Sequence, residues 1–212
     1  KYGRRDSNFE FGTNPCSEII LRPNQFCNLT EVVVRSTDTV KDLERKVTLA
    51  TILGTIQSTY TKFPYLRKVW TTNTEEERLL GVSLTGIMDN PLMTTHNPEL
   101  EKTLEKLRKL SVTTNAKWAD NLGIPASTAI TCVKPSGTVS QLVDSASGIH
   151  ARHSDYYIRT VRGDNKDPLT QFMKDQGVPS EPDVMKPDAT TVFSFPVKSP
   201  DNAVVTSDLS AI

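Results

Sequence analysis

The segment Asn14-Pro15-Cys16-Ser17-Glu18 is the first stretch of this sequence whose residue types could do chemistry. Side chains two residues apart point to the same side of an extended or looped chain, so Asn14, Cys16 and Glu18 would share one face. That face would aim an amide donor, a sulfur centre and a base at one spot. The alternative is a structural cysteine packed in a turn, with Asn14 as a turn residue and Glu18 in solvent.

Two further cysteines follow. Cys27 lies eleven residues after Cys16 at the start of a predicted strand, a spacing that suits neither a zinc hook nor a thioredoxin-type motif. The alternative for Cys27 is a packed strand cysteine. Cys132 lies within an apolar run and is predicted to be a core residue. Three cysteines in 212 residues make no disulfide framework, which predicts a reducing, cytoplasmic compartment.

A loop of small residues, Lys134-Pro135-Ser136-Gly137-Thr138-Val139-Ser140, follows that apolar run and opens a predicted short helix. Exposed backbone N–H groups, the positive end of the helix and the hydroxyls of Ser136 and Thr138 together favour an anion site. The spacing of a Walker loop is absent. A simple capped start of a helix is the alternative.

The histidines predict no metal site. His150 and His153 stand three apart in an irregular basic stretch, and His96 is distant in sequence, so solvated or hydrogen-bonded side chains are favoured over metal ligands. Arg159 and Arg162 could help to hold an anionic ligand, although a surface role is the favoured interpretation.

Charge and hydropathy exclude several classes of function. The 25 basic residues equal the 25 acidic ones, which argues against a protein that coats nucleic acid. No apolar run approaches the roughly 18 residues of a membrane helix, and residues 1–6 are basic without the apolar core of a signal peptide. Neither a nucleic-acid partner nor a membrane is therefore expected. With no initiator Met, the chain is expected to be an internal piece of a longer polypeptide or half of a split one.

Strands and helices alternate along the sequence, which predicts an α/β fold with parallel strands. Thr74 and Glu77 form a capping-box pattern that predicts a helix start, leading into a stretch at 79–87 that is ambiguous between helix end and strand. Asn97 and Pro98 predict the cap and first residue of another helix, which ends at Gly123. The remaining predictions are strands at 31–35, 127–133, 156–158 and 192–195, helices at 39–61 and 167–176, a short helix from 138, and an exposed connection through Pro179, Pro182 and Pro187.

Several of these segments, in this order, resemble the catalytic chains of ribonucleotide reductases. Residues 14–18 match the radical-cysteine motif of that family, and Phe26-Cys27-Asn28-Leu29 follows at the short spacing of the adenosylcobalamin-dependent, class II enzymes. Residues 134–140 match the loop that binds the substrate phosphates. The blocks at 78–87, 154–159 and 192–200 also resemble the family. Within the family, the blocks at 154–159 and 192–200 look most like the monomeric triphosphate reductases.

The resemblance implies the second half of a ten-stranded α/β barrel with a central finger loop. Residues 10–30 would form that loop with the radical cysteine, Cys16, at its tip. Residues 31–212 would supply barrel strands and helices, so that 1–212 is one partial catalytic barrel.

The resemblance also implies the reduction of ribonucleoside triphosphates to deoxyribonucleotides, the precursors of DNA, with adenosylcobalamin as cofactor. A deoxyadenosyl radical would take a hydrogen atom from Cys16, and the resulting thiyl would abstract the 3′ hydrogen of the ribose. Glu18 would accept the proton of the 3′-hydroxyl, Asn14 would hold the ribose hydroxyls, and Cys27 would be one of two reducing thiols. The substrate-binding residues would be Asn14, Pro15, Cys16, Ser17, Glu18, Pro135, Ser136, Gly137, Thr138 and Val139.

Two parts of the family pattern are missing from the sequence. The redox partner of Cys27 is absent, because Cys132 matches no redox position, and so is the C-terminal cysteine pair that would exchange electrons with a thioredoxin-like reductant. The N-terminal half is absent too, so the missing N- and C-terminal segments of the same enzyme are expected partners. The alternatives are the large subunit of a class I enzyme, a half-barrel that is inactive without its missing part, and a cysteine hydrolase in which a histidine activates Cys16.

Overall fold

The computed structural model describes residues 5–94 and 98–210, which fall into two compact units. The first unit runs to residue 151 and includes 202–204, and the second contains 152–201 and the residues from 205 onward. The prediction of one barrel segment over the whole chain stays a prediction. The described residues contain no helix that is long and apolar enough to cross a membrane.

The first unit begins with short strands and continues with helices around a parallel pair of strands. Its strands are β1 (Gly12–Thr13), β2 (Ile20–Leu21), β3 (Asn28–Val33) and β4 (Leu80–Thr85), and its helices are α1 (Val40–Gln57), α2 (Lys68–Glu77), α3 (Pro91–Thr94), α4 (Pro98–Leu122) and α5 (Thr138–Leu142).

Strands β3 and β4 pair in parallel, from Asn28 opposite Leu80 to Val33 opposite Thr85. Alternate residues of both strands point to one face, where they meet α1 and α4. The buried core on that face consists of Val32, Val34, Leu43, Val47, Leu80, Val82, Met93, Leu107 and Ile130. The strand predicted at 31–35 is therefore real, but it begins three residues earlier.

The long helices lie close to where the sequence predicts them. Thr39 caps α1 in a capping box, because its hydroxyl accepts the amide N–H of Asp42 and the Asp42 carboxylate accepts the amide N–H of Thr39. Helix α4 runs from Pro98 to Leu122 and ends at Gly123, which has a positive φ of 66°. The predicted cap at Asn97 lies outside the described residues.

The prediction of a helix start at Thr74 is wrong. Thr74 and Glu77 lie in the last turn of α2, and Arg78 ends that helix in a left-handed conformation with φ of 42°. The ambiguous segment that follows is strand β4. The sequence pattern failed here because Thr and Glu three residues apart also occur inside a helix, where nothing local marks them as interior.

The strand predicted over 127–133 forms only in part. Residues 129–132 lie beside β4, where Leu80 and Val82 donate to the carbonyls of Ala129 and Ile130, and Cys132 donates to the carbonyl of Val82. In this segment, β-sheet pairing is limited to an isolated parallel bridge between Val82 and Thr131, so no regular strand forms.

The second unit is an antiparallel sheet with one helix. Its strands are β5 (Tyr156–Asp164), β6 (Ser180–Pro182) and β7 (Thr190–Lys198), in the order β5-β7-β6, and its helix is α6 (Pro168–Asp175), capped by Asp167. The parallel arrangement predicted for the chain is therefore wrong in this unit. Residues 180–182, predicted as part of an exposed connection, pair instead with β7.

Candidate active site

Strands β1 and β2 form a short hairpin whose tip carries the first candidate residues. Gly12 pairs with Leu21 and Thr13 with Ile20, so the tip spans residues 14–19. The backbone N–H of Asn14 donates to the carbonyl of Ile19 at 3.3 Å, and the amide of Ile19 donates to Asn14 Oδ1 at 3.0 Å. These two bonds close the tip from both ends.

Within the tip, Asn14 and Glu18 are in direct contact. Asn14 Nδ2 donates to Glu18 Oε2 at 2.6 Å. Of the two forms predicted for this segment, extended or looped, the structure has the loop, because Ser17 has a φ of 61° and its amide donates to the carbonyl of Asn14 at 2.9 Å. A tight turn, and not an extended strand, brings the amide and the carboxylate together.

Cys16 lies in that turn as a free and exposed thiol. The alternative of a buried cysteine in a turn is therefore wrong, because the described residues leave the side chain of Cys16 exposed. An exposed thiol between an amide and a carboxylate can react with a group presented from outside the hairpin.

Cys27 and Cys132 are free thiols in a different environment. Burial raises the pKa of Cys27 to about 12, with further contributions from the charges of Cys132 and Glu18. Burial also raises the pKa of Cys132 to about 11, helped by the negative charge of Glu18. Glu18 is therefore close enough to act on both thiols, and the proximity of Cys132 to this site was not predicted from the sequence.

Cys132 is nevertheless separated from Cys27 by a strand. Cys27 directly precedes β3, whereas Cys132 bonds to β4 on the side away from β3. Strands lie about 4.8 Å apart, so two spacings give roughly 9–10 Å between backbones, which exceeds the reach of about 7 Å for a disulfide. This geometry is consistent with the prediction that Cys132 is not the redox partner of Cys27.

Gly81 is the point where the hairpin meets the sheet. A Cβ at this position would lie 2.4 Å from Leu29 Cδ2, 3.0 Å from Ile19 Cδ1 and 3.1 Å from Cys132 Sγ. The missing side chain leaves the space that Ile19, at the end of the hairpin tip, occupies over β4. No sequence pattern predicted this role, since an isolated glycine in a strand has several meanings.

The loop before α5 has the shape predicted for it, but one hydroxyl is used internally. Ser136 is buried, and its Oγ accepts the amide N–H of Ser140 at 3.1 Å. Pro135, Gly137, Thr138 and Val139 are exposed, and a Cβ on Gly137 would meet nothing within 4 Å. The backbone from Gly137 to Val139 is thus open to a ligand, while the side chain of Ser136 acts as a cap.

The described histidines give no support to a metal centre. The ring of His153 packs edge-on against Tyr157, with centroids 5.8 Å apart. Among residues 5–94 and 98–210, no three His, Cys, Asp or Glu side chains are grouped so that they could hold a metal ion. His96 lies outside the described residues.

Comparison with known proteins shows one consistent similarity. The chain is 32% identical to an adenosylcobalamin-dependent ribonucleoside-triphosphate reductase from Lactobacillus gasseri and 29% identical to one from Euglena gracilis, over 89% and 94% of its length. A crystal structure of a B12-dependent, class II ribonucleotide reductase superposes on 92% of the chain with a TM-score of 0.77 and 27% identity. No family model matches the chain.

The chain is homologous to a segment of the class II ribonucleotide reductases. The predicted resemblance is confirmed, and with it a mixed α/β fold of this type. These relatives and the solved structure are named as adenosylcobalamin- or B12-dependent, so the similarity is to class II proteins. The chain spans 28% of the length of the Lactobacillus gasseri protein and 30% of the solved chain.

Proposed function

We propose that this chain is the part of a ribonucleoside-triphosphate reductase that carries the radical cysteine, and that the complete enzyme makes deoxyribonucleotides as DNA precursors. The observation that carries the proposal is the hairpin tip. It presents a free, exposed thiol at Cys16 beside a hydrogen-bonded Asn14–Glu18 pair, and the charge of Glu18 acts on the second thiol, Cys27. The similarity to named reductases supports the same assignment.

Each of these side chains has a role that its surroundings suit. Cys16 would lose its hydrogen atom and, as a thiyl, take the 3′ hydrogen of the ribose. Glu18 would accept the proton of the 3′-hydroxyl, which is ordinary general-base work for a positioned carboxylate. Asn14, whose Nδ2 orients Glu18, would bind the ribose hydroxyls with its remaining hydrogen-bonding capacity.

Cys27 suits the role of a reducing thiol that gives up its proton together with its electron. With a pKa of about 12, it keeps its proton at neutral pH. Two thiols would supply two electrons and two protons, the 2′-hydroxyl would leave as water, and the sulfurs would join in a disulfide. We place the partner thiol in the part of the enzyme outside this chain, since β4 separates Cys132 from Cys27.

We infer that adenosylcobalamin is the cofactor. When bound, it supplies the organic radical chemistry that removes the hydrogen atom of Cys16. The exposure of the Cys16 thiol fits a radical source that approaches from outside the hairpin. Cys27 and Cys132 are less accessible to such a group, because both are half-buried.

The loop from Pro135 to Val139 would bind the phosphates of the substrate. The exposed backbone of Gly137, Thr138 and Val139 supports this role, since helix starts leave N–H groups without helical partners.

We further propose that the chain completes a ten-stranded barrel with the hairpin as its finger loop. The same proposal includes the missing segments of the enzyme and a thioredoxin-like protein as partners, and cytoplasm as the compartment, in keeping with three free thiols.

Glu18→Gln in the full-length protein that contains this chain tests the proposal. With adenosylcobalamin, a ribonucleoside triphosphate and a dithiol reductant, we expect kcat to fall about 100-fold or more, because the amide cannot accept a proton. Glu10→Gln, at an exposed position just before the hairpin, is the matched control and should retain wild-type rates. A full rate of deoxynucleotide formation in Glu18→Gln would refute the role of Glu18, and no product from the wild-type protein would refute the function.

A further inference from the structure

A buried cluster of charges holds the base of the hairpin. Glu77, at the end of α2, is 1% exposed and accepts from Arg5 Nε at 3.0 Å, Arg5 Nη2 at 2.5 Å and Gln25 Nε2 at 2.7 Å. Arg22 Nη2 lies 3.3 Å from Glu77 Oε1. One carboxylate therefore contacts a residue before the hairpin and two residues after it.

The cluster also joins its members to one another and to the hairpin strands. Gln25 Oε1 accepts the amide N–H of Arg22 at 2.9 Å, and Arg5 Nη1 donates to the carbonyl of Ile20 on β2. Arg22 stacks over the ring of Phe9 at 3.6 Å, and Arg5 lies over Phe11 at 4.5 Å. Both arms of the hairpin are thus bound to the same carboxylate.

Glu77 is itself fixed to the sheet. Its carbonyl accepts the amide N–H of Thr128 at 2.9 Å, and two residues later the carbonyl of Leu79 accepts both the backbone N–H of Asn28 at 2.8 Å and its side-chain Nδ2 at 3.1 Å. Asn28 directly follows Cys27. The same few residues therefore fix the position of the hairpin and the position of Cys27.

The electrostatics agree with this geometry. Burial alone would raise the pKa of Glu77, but hydrogen bonds from Arg5 and Gln25 and the charges of Arg5 and Arg22 outweigh it and lower that pKa below its ordinary value. The charge of Arg5 also acts on Cys27, where it lowers the pKa against the larger effect of burial. Glu77 is thus ionised at neutral pH and can hold both arginines.

We propose that Glu77 is a positioning residue, which sets the hairpin tip with Cys16 and Glu18 over Cys27 by binding both arms of the hairpin at their base. The catalytic part of this inference rests on the proposed function, whereas its structural part does not. Without the carboxylate of Glu77, Arg5 would lose its ion pair, and Arg22 would keep only Glu76, whose Oε2 lies 2.6 Å from Arg22 Nη1. Arg5 would then face the charge of Arg22 in a mostly buried place, and the arms would separate.

The test of the structural part is the alkylation of each cysteine by iodoacetamide, followed by mass spectrometry of the chain. In Glu77→Gln we expect Cys27 to react about tenfold faster or more than in the wild type, because a displaced hairpin lets water reach the thiol and lowers its pKa. Cys16, exposed already, should change by less than about twofold. Glu75→Gln is the control, since Glu75 lies in the same helical turn but accepts from Thr61 Oγ1, at 2.7 Å, and not from the hairpin residues that the structure describes.

Amide exchange in α1 separates this local effect from global unfolding. An unchanged rate at Cys27 in a folded Glu77→Gln variant would overturn the proposal, and so would acceleration that matches the loss of protection in α1. If Glu77→Gln does not fold, Arg5→Met is the second variant, because it removes one charged partner of Glu77 and keeps an apolar side chain. An alkylation rate at Cys27 equal to that of the wild type in this variant would then overturn the proposal.

The catalytic part is tested in the full-length protein. We expect Glu77→Gln to lower kcat about tenfold or more and to raise the nucleotide KM by a smaller factor, because the tip with Cys16, Glu18 and Asn14 moves while the phosphate loop does not. A change confined to the fraction of active enzyme, found by counting active sites, would indicate a merely structural role and overturn this part. If the wild-type protein makes no product, the proposed function fails, and the alkylation result is unaffected.

Discussion

At the scale of single residues, the three thiols differ mainly in their exposure to solvent and in the effect that the charge of Glu18 has on them. Cys16 is exposed at the hairpin tip, whereas Cys27 and Cys132 are half-buried and have raised pKa values. Because only the thiolate is a strong nucleophile, this difference separates the cysteine that meets external groups from those that stay protonated.

The order of alkylation should follow that difference. At pH 8, a thiol with a pKa of about 12 is ionised about once in ten thousand molecules, and one with a pKa of about 11 about once in a thousand. We expect iodoacetamide to modify Cys16 first, Cys132 next and Cys27 last, with the rate at Cys27 still rising with pH above 10. Peptide mass spectrometry after timed quenching measures this order, and a reaction of Cys27 before Cys16 would contradict it.

The sequence predicts that Asn14 and Glu18 lie on one side of an extended or looped chain, but not that they form a hydrogen bond. Extended alternation would place the two residues on one face, whereas a turn with positive φ at Ser17 makes the actual contact. The proximity of Cys132 to Glu18 could not be predicted, because it depends on how residues 129–132 lie beside β4.

At the scale of elements, the hairpin rests on the sheet where Gly81 leaves room for Ile19. We expect Gly81→Ala to destabilise the chain by about 1–3 kcal/mol, because the added methyl forces Leu29, Ile19 or Cys132 to move. Gly12→Ala is the matched control, since a Cβ there meets nothing within 4 Å. Urea denaturation of both variants measures the free energy of unfolding, and equal stabilities would show that Ile19 and Leu29 adjust without cost.

Helices α1 and α4 of the first unit could be predicted from local signals, and the hairpin base could not. Pro98 and Gly123 bound α4 by backbone rules that act within a few residues. Glu77, by contrast, was predicted to lie in the first turn of a helix and instead ends one, and its partners, Arg5 and Gln25, are 72 and 52 residues away in sequence. Interactions of that range leave no periodic pattern.

At the scale of the whole molecule, β3 pairs only with β4 among the described strands, so its other edge is open. On helix α1 beside it, the side chain of Leu53 is 60% exposed, and that of Leu49, one turn earlier, is 56% exposed. An open strand edge next to exposed leucines favours association with further chain. This agrees with a segment that spans 28% of its relative's length.

We therefore expect the chain on its own to self-associate at micromolar concentrations. Leu53→Glu should shift the population towards monomer, because it places a charge on the apolar stripe without touching the core, whereas Leu169→Glu, exposed in the second unit, should not. Sedimentation velocity of the three proteins measures this. A monodisperse wild-type monomer would contradict the expectation.

The central claim, that Cys16 is the radical-forming cysteine, is tested most directly by Cys16→Ser in the full-length protein that contains this chain. Two quantities are measured: deoxynucleotide formed with adenosylcobalamin and a dithiol, and equilibrium binding of the ribonucleoside triphosphate. We expect product to fall to background while the nucleotide Kd stays within about twofold of wild type, because a serine O–H does not readily give up its hydrogen atom and the phosphate loop is unchanged. Reduction at a near wild-type rate in Cys16→Ser would contradict the account.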